Sequence, residues 1–253
     1  MNKSNPLITI ITVSFNAVTS IEETILSVIN QTYNNIEYII IDGGSTDGTI
    51  NIIKKFDSKI SYWISEPDKG IYDAMNKGIK KASGKFINFM NAGDTFYTNK
   101  TIESIFCNNL DGFDIIYGAV NIHTNKYNKI VYPKHKISKN HPMPFNHQCV
   151  FVSSFLCKQY PFDISYKYAA DYNFFHKIQK KAKYINTNQI IANYSIDGIS
   201  STNGIAVNNE RIKSNPCLYN YYLHLLYYRN LIIKKILYKL GLIKLVEKLK
   251  QIQ

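Results

Sequence analysis

The first hundred residues alternate between apolar, β-branched runs and segments with helical patterns, and this alternation constrains the fold most. Ser20 and Glu23 form an S-x-x-E capping box that predicts the start of the first helix. Alternating strands and helices predict a mainly parallel sheet flanked by helices, an α/β fold. The predicted strands are Leu7–Phe15, Ile36–Asp42, Ile60–Ser65 and Phe86–Met90, and the predicted helices are Ser20–Gln31, Thr49–Phe56 and Tyr72–Ala82.

Polar side chains gather where the predicted strands end. Ser14 and Asn16 follow the first strand, Asp42 ends the second, and Asp94 follows the fourth. In open α/β sheets, ligands bind at the carboxyl ends of the strands. The sequence therefore predicts a binding site at this edge.

The second half of the chain is less regular. Its predicted strands are Asp114–Val120, His147–Val152 and Ile190–Ser195, with a loop or hairpin over Asn121–Pro133 and a helix over Ala170–Lys180. From about Val207 the pattern is helical and aromatic. A chain of 253 residues suffices for one catalytic domain with a modest appendage. We therefore expect a domain over residues 1–205 and a basic, amphipathic helical segment over residues 206–253.

The positive charge is concentrated near the C-terminus. The formal net charge is +12, and the stretch from Arg229 to Gln253 holds seven basic residues against one acidic residue. Half of the excess thus lies in the last tenth of the chain, which disfavours a nucleic-acid partner and indicates a local contact with an acidic surface.

The same segment has an apolar stripe. Ile232, Ile236 and Leu240 recur at helical steps, and Ile243, Val246 and Leu249 continue the pattern, with Gly241 as a point of division. Two interpretations stay open: a helix packed on its own domain or in a dimer, or an interfacial helix on anionic lipid.

Cysteine usage and hydropathy indicate the compartment. The four cysteines form no CxxC pair or metal-ligand spacing, which predicts free thiols in a reducing environment. We find no signal-peptide pattern and no membrane-spanning apolar run. The expectation is a cytoplasmic protein, held peripherally on the inner face of the cell membrane.

Four motifs in order carry a family resemblance: Thr12–Asn16 (TVSFN), Ile41–Thr49 (IDGGSTDGT), Glu66–Gly78 (EPDKGIYDAMNKG) and Phe89–Asp94 (FMNAGD). Together they closely resemble glycosyltransferase family 2, whose nucleotide-sugar-binding fold is called GT-A. The resemblance is strong over about residues 7–96 and loose over 140–180. It implies a GT-A-type, Rossmann-like sheet with a C-terminal helical extension.

The resemblance also implies a set of nucleotide-sugar-binding residues: Thr12, Ser14, Asn16, Asp42, Asp68, Lys69, Asp73 and Asn91. Asp42, with Thr12 and Ser14, is expected to hold the base. Family members often carry two acids at this strand end, whereas this chain has Gly43 in the second place. The competing structural interpretation is that Asp42 caps the Gly-rich turn.

Asp94 is the expected metal ligand. The family's Asp-x-Asp pattern is altered here to Asn91-Ala92-Gly93-Asp94, and only the last acid remains. One carboxylate, with diphosphate oxygens and water, is sufficient to bind Mn²⁺ or Mg²⁺. His147 is expected to be a further metal or diphosphate contact, with a packed loop histidine as the alternative.

Asp171 matches the acid that removes the acceptor's proton in inverting members; its alternative role is to cap a helix N-terminus. The resulting hypothesis is an inverting hexosyl- or N-acetylhexosaminyltransferase that uses a nucleotide sugar, with UDP preferred. Its acceptor is a hydroxyl of a saccharide or lipid-linked saccharide in bacterial surface-polysaccharide synthesis, and a homo-oligomer is possible.

Two alternatives remain. One is an inactive GT-A-fold binding module, which the reduced acid motif favours. The other is a nucleotidyltransferase, which would need a Gly-rich loop with Arg and Lys that Thr12–Ala17 lacks.

Overall fold

A computed structural model describes residues 5–108, 110–123, 128–195 and 203–240. The strands are β1 (Ile8–Ser14), β2 (Ile36–Asp42), β3 (Tyr62–Ser65), β4 (Phe86–Phe89), β5 (Thr95–Phe96), β6 (Ile115–His123), β7 (Asn128–Val131), β8 (Val150–Ser153) and β9 (Tyr184–Ser195). The helices are α1 (Ile21–Ile29), α2 (Thr49–Lys55), α3 (Ile71–Lys81), α4 (Thr101–Phe106), α5 (Ser154–Gln159), α6 (Ala170–Ile178), α7 (Gly204–Ser214) and α8 (Leu218–Lys239).

The strands of the described residues form one sheet in the order β3-β2-β1-β4-β8-β6-β9-β5, with β7 beside β6. β1 pairs in parallel with β2 and β4, and β2 pairs in parallel with β3. β8 then joins β4 and β6 in antiparallel orientation. The carboxyl ends of β1, β2, β3 and β4 therefore meet at one edge, as the alternating pattern predicts.

Both faces of the parallel half are covered by apolar packing. All seven residues of β1 are buried, which is why its sequence is continuously apolar or β-branched rather than alternating. Helix α3 lies close against this strand: a Cβ at Gly78 would come within 2.6 Å of Ile11 Cγ2. Because glycine has no side chain, α3 can pack this closely on the sheet. The helix begins near the candidate site.

Several local expectations change. The capping box is wrong, because Ser20 precedes α1 but makes no side-chain hydrogen bond to the helix; the Ala17 carbonyl instead accepts from the Ser20 and Ile21 amides. The run expected to begin a strand at His147 opens with a 3₁₀ turn. β9 begins at Tyr184, six residues before the expected start. The earlier start of β9 is due to its pairing with β6, in which Tyr184 and Ile185 lie opposite Ile115 and Ile116.

The C-terminal helices pack on α6, and the proposed division near residue 205 stays a prediction.

The four cysteines are free thiols, as expected. Within the described ranges, no helix combines the length and the apolar character needed to cross a membrane. The predicted continuation of the stripe through Ile243, Val246 and Leu249 lies outside the described residues.

Candidate active site

Asp42 holds the turn that follows β2. Its carboxylate accepts hydrogen bonds from the hydroxyls of Ser14 (2.8 Å), Ser45 (2.6 Å) and Ser65 (2.6 Å) and from the Gly44 and Ser45 amides. Burial alone would raise the pKa of Asp42, but these hydrogen bonds outweigh it and lower the pKa. Both oxygens are engaged by the protein, so Asp42 has the structural role that the capping interpretation expects; a contact with a base stays a prediction.

Thr12 is also used internally. Its hydroxyl donates to the Met90 carbonyl oxygen (2.7 Å) and lies 3.0 Å from the Tyr38 hydroxyl oxygen. Its side chain is buried in the sheet. The structure therefore gives the Thr12 hydroxyl a structural role, and a base contact by this residue is not tested.

Asn16 ties the end of β1 to the turn after β2. It adopts a left-handed backbone conformation, with φ of 48°. Its amide donates to Ser45 Oγ (2.7 Å), and its side-chain oxygen accepts from the Thr46 amide (3.0 Å). The preceding residue, Phe15, is 65% exposed at this edge. An exposed aromatic ring beside the polar strand ends was missed from sequence, although its place within the TVSFN motif was the available signal.

Asp68 occupies the space beside Gly43. A Cβ built on Gly43 would overlap Asp68 Oδ2 and would lie 3.4 Å from Phe15 Cδ2. The other Asp68 oxygen accepts from the Gly70 amide at 2.7 Å. Asp68 Oδ2 thus occupies the space that the first atom of a side chain at position 43 would need.

Lys69 and Asp73 form the start of α3. The Lys69 amide donates to Asp73 Oδ2 at 3.0 Å, so the Asp73 carboxylate binds the backbone just before the helix begins. The Lys69 side chain is exposed. Lys69 follows Asp68 directly and Asp73 lies five residues after it, on the same edge of the sheet.

Asp94 lies at the end of the turn that follows β4. Its side chain is buried, and Gln148 Nε2 donates to its Oδ1 at 3.3 Å. Its carbonyl oxygen accepts from the Thr24 hydroxyl at 2.8 Å, which anchors the turn to α1. Burial raises the pKa of Asp94 to about 7. A cation at this carboxylate therefore has to compete with a proton near neutral pH.

Buried amide oxygens accompany Asp94. Among the described residues, Asn88 Oδ1, Asn91 Oδ1 and Gln148 Oε1 are buried without a hydrogen-bond partner. Carboxylate and amide oxygens are the ligands that hard divalent cations prefer. The described ranges hold no group of three His, Cys, Asp or Glu side chains able to bind a metal. The donor set therefore fits a cation whose remaining ligands come from a diphosphate and water, rather than one enclosed by protein.

His147 connects the turn containing Asn91 to Asp171. Asn91 Nδ2 lies 2.9 Å from His147 Nε2, and His147 Nδ1 lies 3.7 Å from Asp171 Oδ2. With the Asn91 amide nitrogen donating to Nε2, the proton of a neutral ring lies on Nδ1, the nitrogen that faces Asp171. Burial lowers the pKa of His147, although Asp171 opposes the effect, so the ring favours its neutral form. A cation would have to replace one of these contacts to bind His147.

Asp171 lies within the first turn of α6. The residue at the N-cap position is Ala169, so Asp171 caps the helix not from that position but by accepting from an amide of the first turn. Asp171 Oδ1 accepts from the Tyr72 hydroxyl (3.1 Å) and from the Tyr172 amide (2.8 Å). Its side chain remains 19% exposed. This place in the first turn puts the carboxylate at the positive end of the helix dipole.

The structure therefore brings the candidate residues together in two groups. One group lies at the ends of β1, β2 and β3: Phe15, Asn16, Gly43, Asp68, Lys69 and Asp73. The other group consists of residues joined by direct side-chain contacts. His147 contacts both Asn91 and Asp171, and Asp94 contacts Gln148. Because His147 and Gln148 are adjacent in sequence, the second group reaches from the β4 turn to α6.

Comparison with known proteins identifies the family. The model of "Glycosyl transferase family 2" matches residues 9–167. The chain belongs to this family. The matched region includes both groups of side chains up to His147 and Gln148, and it ends four residues before Asp171.

Several curated relatives support the family assignment. An uncharacterized glycosyltransferase of Mycobacterium tuberculosis is 44% identical over 94 residues, which is 37% of this chain and 36% of that protein. An uncharacterized glycosyltransferase of Rickettsia prowazekii is 30% identical over 80% of this chain and 68% of its own length. A PGL/p-HBAD biosynthesis glycosyltransferase of Mycobacterium bovis is 25% identical over 83% of this chain and 84% of its own.

Solved structures confirm the GT-A-type α/β fold. Staphylococcus aureus TarS in complex with UDP-GlcNAc has a TM-score of 0.66 at 16% identity, over 82% of this chain and 66% of that chain. The mannosyltransferase PcManGT of Pyrobaculum calidifontis, in complex with GDP-Man and Mn²⁺, has a TM-score of 0.64 at 17% identity, over 83% of this chain and 63% of that chain.

Proposed function

We propose that this family 2 member is an inverting glycosyltransferase that moves a sugar from a nucleotide diphosphate, with UDP preferred, to a hydroxyl acceptor. The observation that carries the proposal is the contact chain from Asn91 through His147 to Asp171, beside the Asp94–Gln148 pair. This arrangement brings Asp94, a carboxylate suited to bind a cation, and Asp171, a carboxylate suited to accept a proton, into one site.

Each carboxylate has one role in this proposal. The acceptor oxygen attacks the anomeric carbon, the bond from that carbon to the diphosphate oxygen breaks, and Asp171 accepts the hydroxyl proton. Tyr72 and His147 orient Asp171 by contacting its two oxygens. Asp94, with the amide oxygen of Asn91 or Gln148, would hold Mn²⁺ or Mg²⁺, which supplies positive charge next to the departing diphosphate.

The residues at the ends of β1, β2 and β3 are proposed to bind the nucleotide. Phe15 offers an exposed ring on which a base stacks, and the adjacent Asp68 carboxylate offers a hydrogen-bond acceptor. Lys69, exposed at the start of α3, supplies positive charge near the phosphates. The solved neighbours contain UDP-GlcNAc in one case and GDP-Man in another, which supports a nucleotide sugar as the class of donor.

A donor panel tests the proposal. With Mn²⁺ present, we expect one nucleotide sugar at 100 times its Kd to raise the free energy of unfolding by about 2.7 kcal/mol. The same compound should release its nucleoside diphosphate on incubation, measured by chromatography. EDTA provides the matched control. Stabilisation without turnover would support the inactive binding module, and release of pyrophosphate from a nucleoside triphosphate would support a nucleotidyltransferase.

We further propose that α8 holds the protein on an anionic membrane surface, where a lipid-linked saccharide serves as acceptor. Along one face of this helix, Leu218, Tyr222, Leu225, Ile232 and Ile236 are each at least half exposed. They follow the steps of three, four and seven that place side chains on one helix face. So large an unpaired apolar stripe is typical of an interaction surface.

The positive charge of α8 favours anionic lipid as the partner that covers this apolar stripe. Arg229, Lys234, Lys235 and Lys239 are basic, and the helix contains no acidic residue. Arg229 follows Leu225 by four residues and precedes Ile232 by three, so its long side chain emerges from the stripe itself. Apolar side chains flanked by basic ones are suited to the interface of a bilayer that contains anionic lipid.

Vesicle binding checks this surface. We expect sedimentation with vesicles of phosphatidylcholine and phosphatidylserine, and roughly 10²- to 10⁴-fold weaker binding for the double variant Leu225→Gln/Ile236→Gln, because each buried aliphatic side chain contributes about 1.5–3 kcal/mol. Phe155→Gln is the matched control, since Phe155 is 70% exposed on α5. If the wild-type protein does not bind vesicles but forms dimers, and the double substitution dissociates these dimers, the stripe binds a second copy of the chain instead.

A further inference from the structure

The segments on either side of Asp171 are held by the C-terminal helices. Before it, Glu210 Oε1 accepts from the Lys167 amide at 2.9 Å, and Glu210 Oε2 accepts from the Tyr168 and Ala169 amides, both at 2.8 Å. One carboxylate of α7 therefore takes three consecutive backbone amides immediately before α6. Hydrogen bonds to an ionised acceptor are about twice as strong as neutral ones.

After Asp171, the next two side chains are held from the same direction. The buried Tyr172 hydroxyl lies 3.0 Å from Asn220 Nδ2 and 3.2 Å from Asn215 Nδ2. Asn173 Nδ2 donates to Ser214 Oγ at 3.0 Å. Residues 210–220 thus hydrogen-bond to the chain on both sides of Asp171, and they fix the backbone from which its carboxylate reaches Tyr72 and His147.

We propose that Glu210 is a positioning residue for the reaction: by binding the backbone of residues 167–169, it sets the start of α6 and hence the place of Asp171. This inference rests on the proposed role of Asp171 as the base. The residues proposed to bind the nucleotide lie at the ends of β1, β2 and β3, and within the described ranges Glu210 forms its hydrogen bonds with residues 167–169 and not with them. The effect should therefore fall on turnover and spare donor affinity.

Two readouts test this inference. In Glu210→Ala, amide hydrogen exchange at residues 167–169 should become at least about tenfold faster, because three amides lose their acceptor. Release of UDP from UDP-GlcNAc with Mn²⁺, or of the corresponding product from the best donor in the panel, should show a kcat roughly 10- to 100-fold lower with KM unchanged. Glu22→Ala, on the exposed surface of α1, is the control and should match the wild type.

A conservative variant separates positioning from a general loss of folding. Glu210→Gln keeps one oxygen that can accept from the Tyr168 and Ala169 amides, so its exchange and kcat should lie between those of wild type and Glu210→Ala. Unchanged exchange in Glu210→Ala, or faster exchange with unchanged kcat, would overturn the inference. An equal loss of donor binding in both variants would also overturn it. Failure of the wild type on every donor, or full turnover by Asp171→Asn, would instead count against the proposed function itself.

Discussion

Replacing Asp171 with asparagine is expected to lower the rate of sugar transfer by roughly 10²- to 10⁴-fold, the range that general-base catalysis contributes. Asparagine keeps the size of the side chain and an oxygen that accepts from Tyr72, but it cannot take the acceptor's proton. Steady-state release of the nucleoside diphosphate measures the effect, and the KM for the donor should stay near the wild-type value because Asp171 lies apart from the nucleotide-binding residues.

Asp163→Asn provides the matched control for this substitution. Asp163 precedes α6 in the same region, is partly exposed, and lies 3.9 Å from Lys177 Nζ in a surface ion pair. Surface ion pairs contribute about 0–1 kcal/mol, so its loss should leave transfer within a few-fold of the wild type. If Asp171→Asn retained most of the transfer rate, the general base would have to be sought elsewhere.

Asp94→Asn is expected to remove the response to Mn²⁺ and to lower transfer by about 10²-fold or more, because stabilisation of the departing diphosphate is worth several kcal/mol. Thermal unfolding with and without Mn²⁺ measures binding, and release of nucleoside diphosphate measures transfer. A variant that still gained Mn²⁺-dependent stability would place the cation at other ligands.

The same substitution should not weaken the fold in the absence of a cation. Burial raises the pKa of Asp94 from 3.8 to about 7, so the native state favours the protonated carboxyl. The stability that this group contributes is therefore present below its ordinary pKa and is lost as the pH rises through about 7. At pH 8, Asp94→Asn should unfold at or above the wild-type temperature, whereas the surface control Asp111→Asn should match the wild type in every assay.

The parallel half of the fold was predictable because its signals are local. β1 and β2 are seven-residue strands rich in isoleucine, and their partners follow at ordinary strand–helix spacing. The rest of the sheet depends on pairing over long separations: β8 enters in antiparallel orientation between β4 and β6, and β9 extends back to Tyr184 only because β6 lies beside it in parallel. Such pairing is decided by tertiary packing, for which short windows of sequence carry no signal.

The candidate site divides in the same way. The acids Asp42 and Asp94 stand out because Asp42 ends an apolar strand and Asp94 ends the turn after one. The His147–Asp171 contact joins residues 24 positions apart, and Glu210 accepts hydrogen bonds from amides about 42 positions away. No spacing rule links these residues, because the first contact requires α6 to pack against the segment before β8, and the second requires α6 and α7 to pack together.

A side chain at position 43 and the present position of the Asp68 carboxylate exclude each other. The atom that a Cβ at Gly43 would meet is Asp68 Oδ2, the end of a side chain that is only partly buried, so Asp68 would turn aside rather than its loop move. Gly43→Ala should therefore displace the Asp68 carboxylate and leave the fold in place.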